Sequence, residues 1–278
     1  LVRGLDTSAY TAGDKIYLSA ATAGAFTSTA PSFPNFVAFV GRVITVSATD
    51  GIIGINPGVD YTNGVMVNTI GATAGKIGAI GDGHYSEFES DGTLVFNGDA
   101  TVWDDMRIVP GAWAFAGTSD PEITDWTPTG SGTTYKVYEF AASDQAFFTI
   151  QLPHSYKQGT DISVHVHWTP GARGNEENGK TVAWKLNYSW ANIDGTFGAA
   201  GTADMTDTCD GTDDKHLMTP AVAITGTGKN ISSMLVCRIY RDTGDTWASA
   251  VPGQQPILLE IDFHYELDTV GSRAVGTK

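Results

Sequence analysis

Apolar and polar side chains alternate with a period of two along several stretches of the chain. The clearest is PILLEIDFHYELD (256–268), where Ile257, Leu259, Ile261, Phe263, Tyr265 and Leu267 share one parity and Glu260, Asp262, His264 and Glu266 the other. Successive side chains of an extended strand point to opposite faces, so this spacing predicts a strand with one face in a core and one outside it. AFFTIQL (146–152) places Phe148, Ile150 and Leu152 together, and TVAWKLNYSW (181–190) sets Trp184, Leu186, Tyr188 and Trp190 against Lys185, Asn187 and Ser189. In DISVHVHW (161–168), Ile162, Val164, Val166 and Trp168 oppose Asp161, Ser163, His165 and His167. SSMLVCRIYR (232–241) reads as a further strand, and no stretch carries a convincing helical stripe. The expected fold class is all-β, with an antiparallel, jelly-roll-like β-sandwich over residues 104–278.

The first hundred residues have another texture, rich in Gly, Ala and Thr. KIYLSA (15–20), FVAFVGRVITVSA (36–48) and GIIGIN (51–56) read as strands, because β-branched residues suit a pleated surface. Thr49-Asp50-Gly51, Asp91-Gly92 and Asp194-Gly195 read as turns, since glycine tolerates positive φ. Pro31 and Pro34 interrupt the chain before the second of these strands. Residues 58–83 carry almost no large side chains, which predicts either an extended linker or a segment packed between subunits. The expected organisation is an N-terminal β-rich oligomerisation module (1–57), a Gly/Ala-rich linker with a hairpin (58–103) and the sandwich (104–278).

Charge narrows the partners. Among 278 residues, 31 are acidic and 16 basic, a net charge of −15, with no cluster of Lys and Arg to displace the counterions of a nucleic acid. Nucleic acid is therefore excluded as a partner. No apolar run of membrane length and no secretory signal is read, and an initial Leu1 reads as a processed or trimmed end. Cys237 shares parity with Leu235 and Ile239 and is expected as a small buried hydrophobe, with a disulfide to Cys209 as the alternative.

The candidate chemistry centres on His165-Val166-His167. Two histidines one residue apart can grip a metal from one face of a strand, and Gly159 precedes them at the spacing of the first cupin motif. The motif's glutamate is missing, since the first acid downstream is Glu176 beyond a Pro-Gly turn, and the second motif is absent. Parity also turns these histidines away from the sandwich interior, toward water or a neighbouring subunit, where they would act as a pH-sensitive contact. The candidate metal ligands are thus His165, His167 and His264, and separately Asp207, Asp210 and Asp213 in a loop that also holds Asp214. No Gly-x-Ser-x-Gly elbow, Walker loop or dinucleotide fingerprint occurs, so no catalytic residue, no cofactor and no cofactor-binding residue is expected. Trp184, Tyr188 and Trp190 have the chemistry to stack on sugars, but their shared parity points to the core.

The stretch running from GLDTSAYTAGDKIYLSA to VGRVITVSATDGIIGI resembles a β-rich module of tailed-bacteriophage virion proteins. The resemblance rests on Gly-Leu-Asp-Thr-Ser, the Ala-Gly-Asp strand, the Pro-rich break and Val-Gly-Arg-Val. DGTLVFNGDATVWDDMR (91–107) is similar to the joint between that module and a following domain, and PHSYKQGTDISVHVHW to a strand pair of that domain. The resemblance implies a non-enzymatic structural component of the virion surface, a capsid decoration, head fibre or tail appendage. It would be a homotrimer, with other capsid, neck or tail proteins as partners. The alternatives are a tail-borne receptor- or carbohydrate-binding protein, with a host-surface glycan as partner, and a cupin-like metal-dependent enzyme.

Overall fold

The computed structural model describes residues 1–31, 38–55 and 75–278, and they form an all-β protein of antiparallel sheets. Pro34 and most of the 58–83 segment lie outside the described residues. The chain divides into two compact units, Leu1–Ile77 and Gly78–Lys278.

In the first unit, strands β1 (Val2–Leu5), β2 (Lys15–Leu18), β3 (Phe26–Thr27), β4 (Phe39–Thr45) and β5 (Gly51–Ile55) form one sheet in the order β1-β5-β4-β2-β3. Its buried centre is Ile16, Val43 and Ile53, with Leu5, Tyr10, Phe26 and Val40 packed around them. β4 and β5 make the expected hairpin, but Gly51 is needed for a different reason than turn geometry. It sits inside β5, where a Cβ would fall 2.1 Å from the Thr7 hydroxyl and 2.5 Å from the Leu5 carbonyl. β6 (Gly75–Ala79) spans the division between the units.

The second unit opens with the β7 (His84–Phe88) and β8 (Leu94–Asn97) hairpin. Gly92 at its turn takes φ +87°, and Asp91 accepts the Thr93 N–H. The other strands are β9 (Val102–Ile108), β10 (Glu122–Trp126), β11 (Tyr135–Glu139), β12 (Gln145–Gln151), β13 (Ile162–Thr169), β14 (Thr181–Ala191), β15 (Gly201–Thr208), β16 (Leu217–Met218), β17 (Val222–Ile224), β18 (Met234–Arg241) and β19 (Ile257–Leu267). They make two sheets. In the first, β19 and β13 run side by side in the middle. β9 and β11 share the far edge of β19, β10 lies beyond β11, and β16 and β17 share the far edge of β13. The second sheet has the order β12-β18-β14-β15.

The two sheets face each other across one core, as in a jelly-roll-like sandwich. Phe148 of β12 meets Phe263 of β19 edge-on, and Phe140 meets Trp184 of β14 in the same way. Ile162, Val164, Val166 and Trp168 are fully buried, as their parity predicts. Strand β19 departs from strict alternation. His167 pairs with Glu260 and Trp168 with Leu258, which leaves Leu259 as the extra residue of a bulge. Leu258, rather than Leu259, therefore enters the core cluster. Cys209 and Cys237 are both buried and free, so the disulfide alternative is not realised, and burial pushes the Cys237 thiol up to about 12. No helix among the described residues is long and apolar enough to cross a membrane.

Candidate functional site

Each sheet of the sandwich has an outward face, and the two differ in chemistry. On the first sheet, the register of β13 against β19 sets Ser163 beside His264, His165 beside Asp262 and His167 beside Glu260. Strand β9 adds Asp105 opposite His264 and Arg107 opposite Asp262. His216 precedes β16, whose pairing with His167 and Trp168 brings it to the same place. Three of the expected ligands, His165, His167 and His264, are thus brought together with two aspartates and a fourth histidine.

The four imidazoles form a continuous chain. His264 Nε2 lies 3.1 Å from His165 Nδ1, His165 Nε2 lies 2.9 Å from His167 Nε2, and His167 Nδ1 lies 2.8 Å from His216 Nε2. At one end His264 Nδ1 lies 2.5 Å from an Asp105 carboxylate oxygen. Asp262 Oδ2 stands 3.8 Å from Nε2 of both His165 and His167, while Asp262 Oδ1 is buried without a hydrogen-bond partner. Two sets of three ligand atoms converge, one of His165, His167 and Asp262 and one of Asp105, Asp262 and His264. Arg107 donates from Nε and Nη2 to the two carboxylate oxygens of Glu260.

The histidines do point away from the core, but His165 does not reach water. Its side chain is only 4% exposed and that of His167 21%. Neighbouring strands and the His216 segment cover the face with polar groups. Burial, reinforced by His167 and His264, lowers the His165 pKa to about 4, and burial with His216 lowers that of His167. Both shifts favour the neutral ring.

The acidic loop does not converge. Asp207 accepts the Trp168 indole N–H at 2.8 Å, Asp210 pairs with Lys215, and Asp213 accepts the Asn175 N–H at 2.8 Å. Asp214 takes the Trp126 indole at 2.6 Å and the Thr129 N–H at 2.7 Å. Each carboxylate is committed to its own partner, so Asp207, Asp210 and Asp213 form no shared site among the described residues.

The second sheet's outward face is open and mixes planar polar groups with aromatic ones. Phe147 pairs with Arg238 across β12 and β18, Gln145 with Tyr240, and Asn187 of β14 with Arg238 from the other side. Arg238 donates to Gln145 Oε1 at 2.5 Å and to Asn187 Oδ1 at 3.1 Å, and its guanidinium lies 4.1 Å over the Tyr240 ring. A shallow groove runs between Phe147, Asn187, Tyr188, Val236 and Arg238. By contrast Trp184 and Trp190 are buried, as parity predicts, and Tyr188 is packed partly against the same core. Sequence reading passed over this face, although Val236, Arg238 and Tyr240 already share a parity opposite to Leu235, Cys237 and Ile239. It also passed over Asp262 and His216 as neighbours of the histidine pair.

No family model and no curated protein matches the chain. Among solved structures, it is similar to a cycloisomaltooligosaccharide glucanotransferase of Paenibacillus sp., at 12% identity and TM-score 0.32 over 56% of this chain. It spans only 18% of that enzyme's length. It is also similar to the CBM22-2 xylan-binding domain of Xyn10C from Paenibacillus barcinonensis, at 9% identity and TM-score 0.33 over 59% of this chain and 99% of that domain. A third similarity is to the stem and receptor-binding domain of spike protein P1 from bacteriophage PM2, at 12% identity and TM-score 0.21 over 53% and 68% of the two chains. Overlaps of this extent carry no argument about ligand or role, and the sandwich assignment rests on the sheet topology itself.

Proposed function

We propose that this chain is a non-enzymatic component of a bacteriophage virion surface whose sandwich binds a glycan on the open face of its second sheet. The observation that carries the glycan reading is Arg238, stacked on Tyr240 and fixed between Gln145 and Asn187. A guanidinium held flat by two amides offers its remaining N–H donors in a rigid fork, at no further ordering cost. Phe147 and Val236 beside it supply apolar surface for the C–H faces of a sugar ring, and the amides of Gln145 and Asn187 supply both donors and acceptors for its hydroxyls. The virion setting rests on the resemblance of the N-terminal module to tailed-phage proteins. A homotrimer joined to other virion proteins is the assembly that goes with that setting.

The test is binding of the full chain to a glycan array and to host cells, repeated with Arg238→Ala and Phe147→Ala. The expected result is retention on a defined glycan, weakened at least about tenfold by either substitution, equivalent to about 1.4 kcal/mol. Silence on the array together with failure to bind cells overturns the reading, as does unchanged binding by both variants.

A further inference from the structure

We propose that His165, His167 and Asp262 form a binding site for one divalent transition-metal cation of borderline softness, with Zn2+ as its representative. This site lies on the outward face of the first sheet and is separate from the glycan face.

The geometry of the three donor atoms is the first argument. His165 Nε2, His167 Nε2 and Asp262 Oδ2 form a triangle with sides of 2.9, 3.8 and 3.8 Å. The point equidistant from its corners lies about 2.1 Å from each, which is the bond length Zn2+ makes to imidazole nitrogen and carboxylate oxygen. The three ligand atoms therefore already surround a space of the correct radius.

The second argument is the unmet bonding capacity around that space. Asp262 has a side chain only 8% exposed, and its Oδ1 is buried with no hydrogen-bond partner. A buried carboxylate is stable when protonated, paired or bound to a metal. Arg107, its cross-strand neighbour, is already engaged by Glu260. Asp262, Asp105 and Glu260 against Arg107 leave two negative charges on the patch when the imidazoles are neutral, which matches a divalent cation.

The third argument is the tautomer pattern. A metal-binding imidazole presents one nitrogen to the ion and donates the other N–H to an acceptor that fixes the ring. His165 Nδ1 has such a partner in His264 Nε2, and His264 in turn is held by Asp105. His167 Nδ1 has His216 Nε2. Both far nitrogens are thus served, and with the His167 proton on Nδ1, donated to His216 Nε2, the two Nε2 atoms that share a hydrogen bond in the ion-free chain would both turn lone pairs to one ion. His264, Asp105 and His216 are positioning residues in this arrangement. Without thiolates, a donor set of two nitrogens and one oxygen suits Zn2+ and its first-row neighbours rather than Ca2+ or Mg2+. The cation would tie β13 to β19, the two central strands of the first sheet, with water completing its coordination.

The experiment is calorimetric titration of ZnCl2 into the EDTA-treated 278-residue chain, with CaCl2 as the control. The expected result is one Zn2+ per chain and no Ca2+, with affinity lost at least 100-fold in His167→Asn and in Asp262→Asn. His216→Ala, an exposed position, is expected to weaken binding by about 10- to 100-fold. His154→Ala, whose ring contacts Ser232 and Ser272 instead, is expected to change nothing. No Zn2+ uptake at millimolar metal overturns the proposal, and so does wild-type affinity in both ligand variants. If a ligand variant fails to fold, imidazole 15N shifts of the wild-type chain decide. Zn2+ should move Nε2 of His165 and His167, and movement confined to His84 or His154 overturns the site.

Discussion

Trp168, fully buried on β13, donates its indole N–H to Asp207 of β15 at 2.8 Å, across from one sheet of the sandwich to the other. This bond gives Asp207 a structural role in place of the metal-binding one its sequence suggested. Asp207→Ala leaves a buried indole donor without an acceptor, which costs about 1–3 kcal/mol. Urea unfolding should show that loss, and Ca2+ should leave the unfolding midpoint of the wild-type chain unmoved. A Ca2+-dependent rise in the midpoint would return the loop to the list of metal sites.

What could be read in the sequence was the set of faces; the register was not. Period-two alternation identified Val164, Val166, Trp168, Trp184, Leu186, Phe148 and Ile150 as core, because the parity of a strand is a local property. Beyond His264, the neighbours of the His165–His167 pair were illegible for the opposite reason. Asp262 reaches both rings and His216 reaches His167 only through the pairing of β13 with β19 and β16, and nothing local fixes that register. The bulge at Leu259 was hidden too, because a two-against-one pairing leaves no compositional mark when Leu258 and Leu259 are the same residue. The turn at 49–51 was placed correctly and explained wrongly, since Gly51 serves the close approach of Thr7 and Leu5. The acidic loop looked like a site because spacing shows only that carboxylates are near in sequence, while each is drawn to a separate donor.

Arg241 offers a second stability test inside the sandwich unit. It is 2% exposed and donates to Asp245 at 2.6 and 3.1 Å, to the Phe140 carbonyl at 2.9 Å and to Gln255 at 2.8 Å. Removing one member of a buried pair strands the other charge, so Arg241→Ala should destabilise by about 3–5 kcal/mol. Replacing both, as Arg241→Met with Asp245→Leu, removes the stranded charge and should lose clearly less. A double variant worse than the single one would show that the neutral acceptors, Phe140 and Gln255, dominate instead.

The N-terminal unit bears on assembly. Among the described residues only Ile16, Val43 and Ile53 make its buried cluster, while Leu18, Ile44 and Ile55 stand 45%, 53% and 38% exposed. Exposed apolar side chains of this kind are normally covered by a partner. On the proposed homotrimer, light scattering after size exclusion should give a mass of three times 29.4 kDa. Because the proposed metal ligands all lie in one chain's sandwich, EDTA should leave that mass unchanged. Ile44→Glu places a charge on the exposed apolar surface and should shift the population toward monomer without altering the unfolding of the sandwich unit. A monomeric wild-type chain would refute the trimer and leave the exposed isoleucines of the first unit for a different partner.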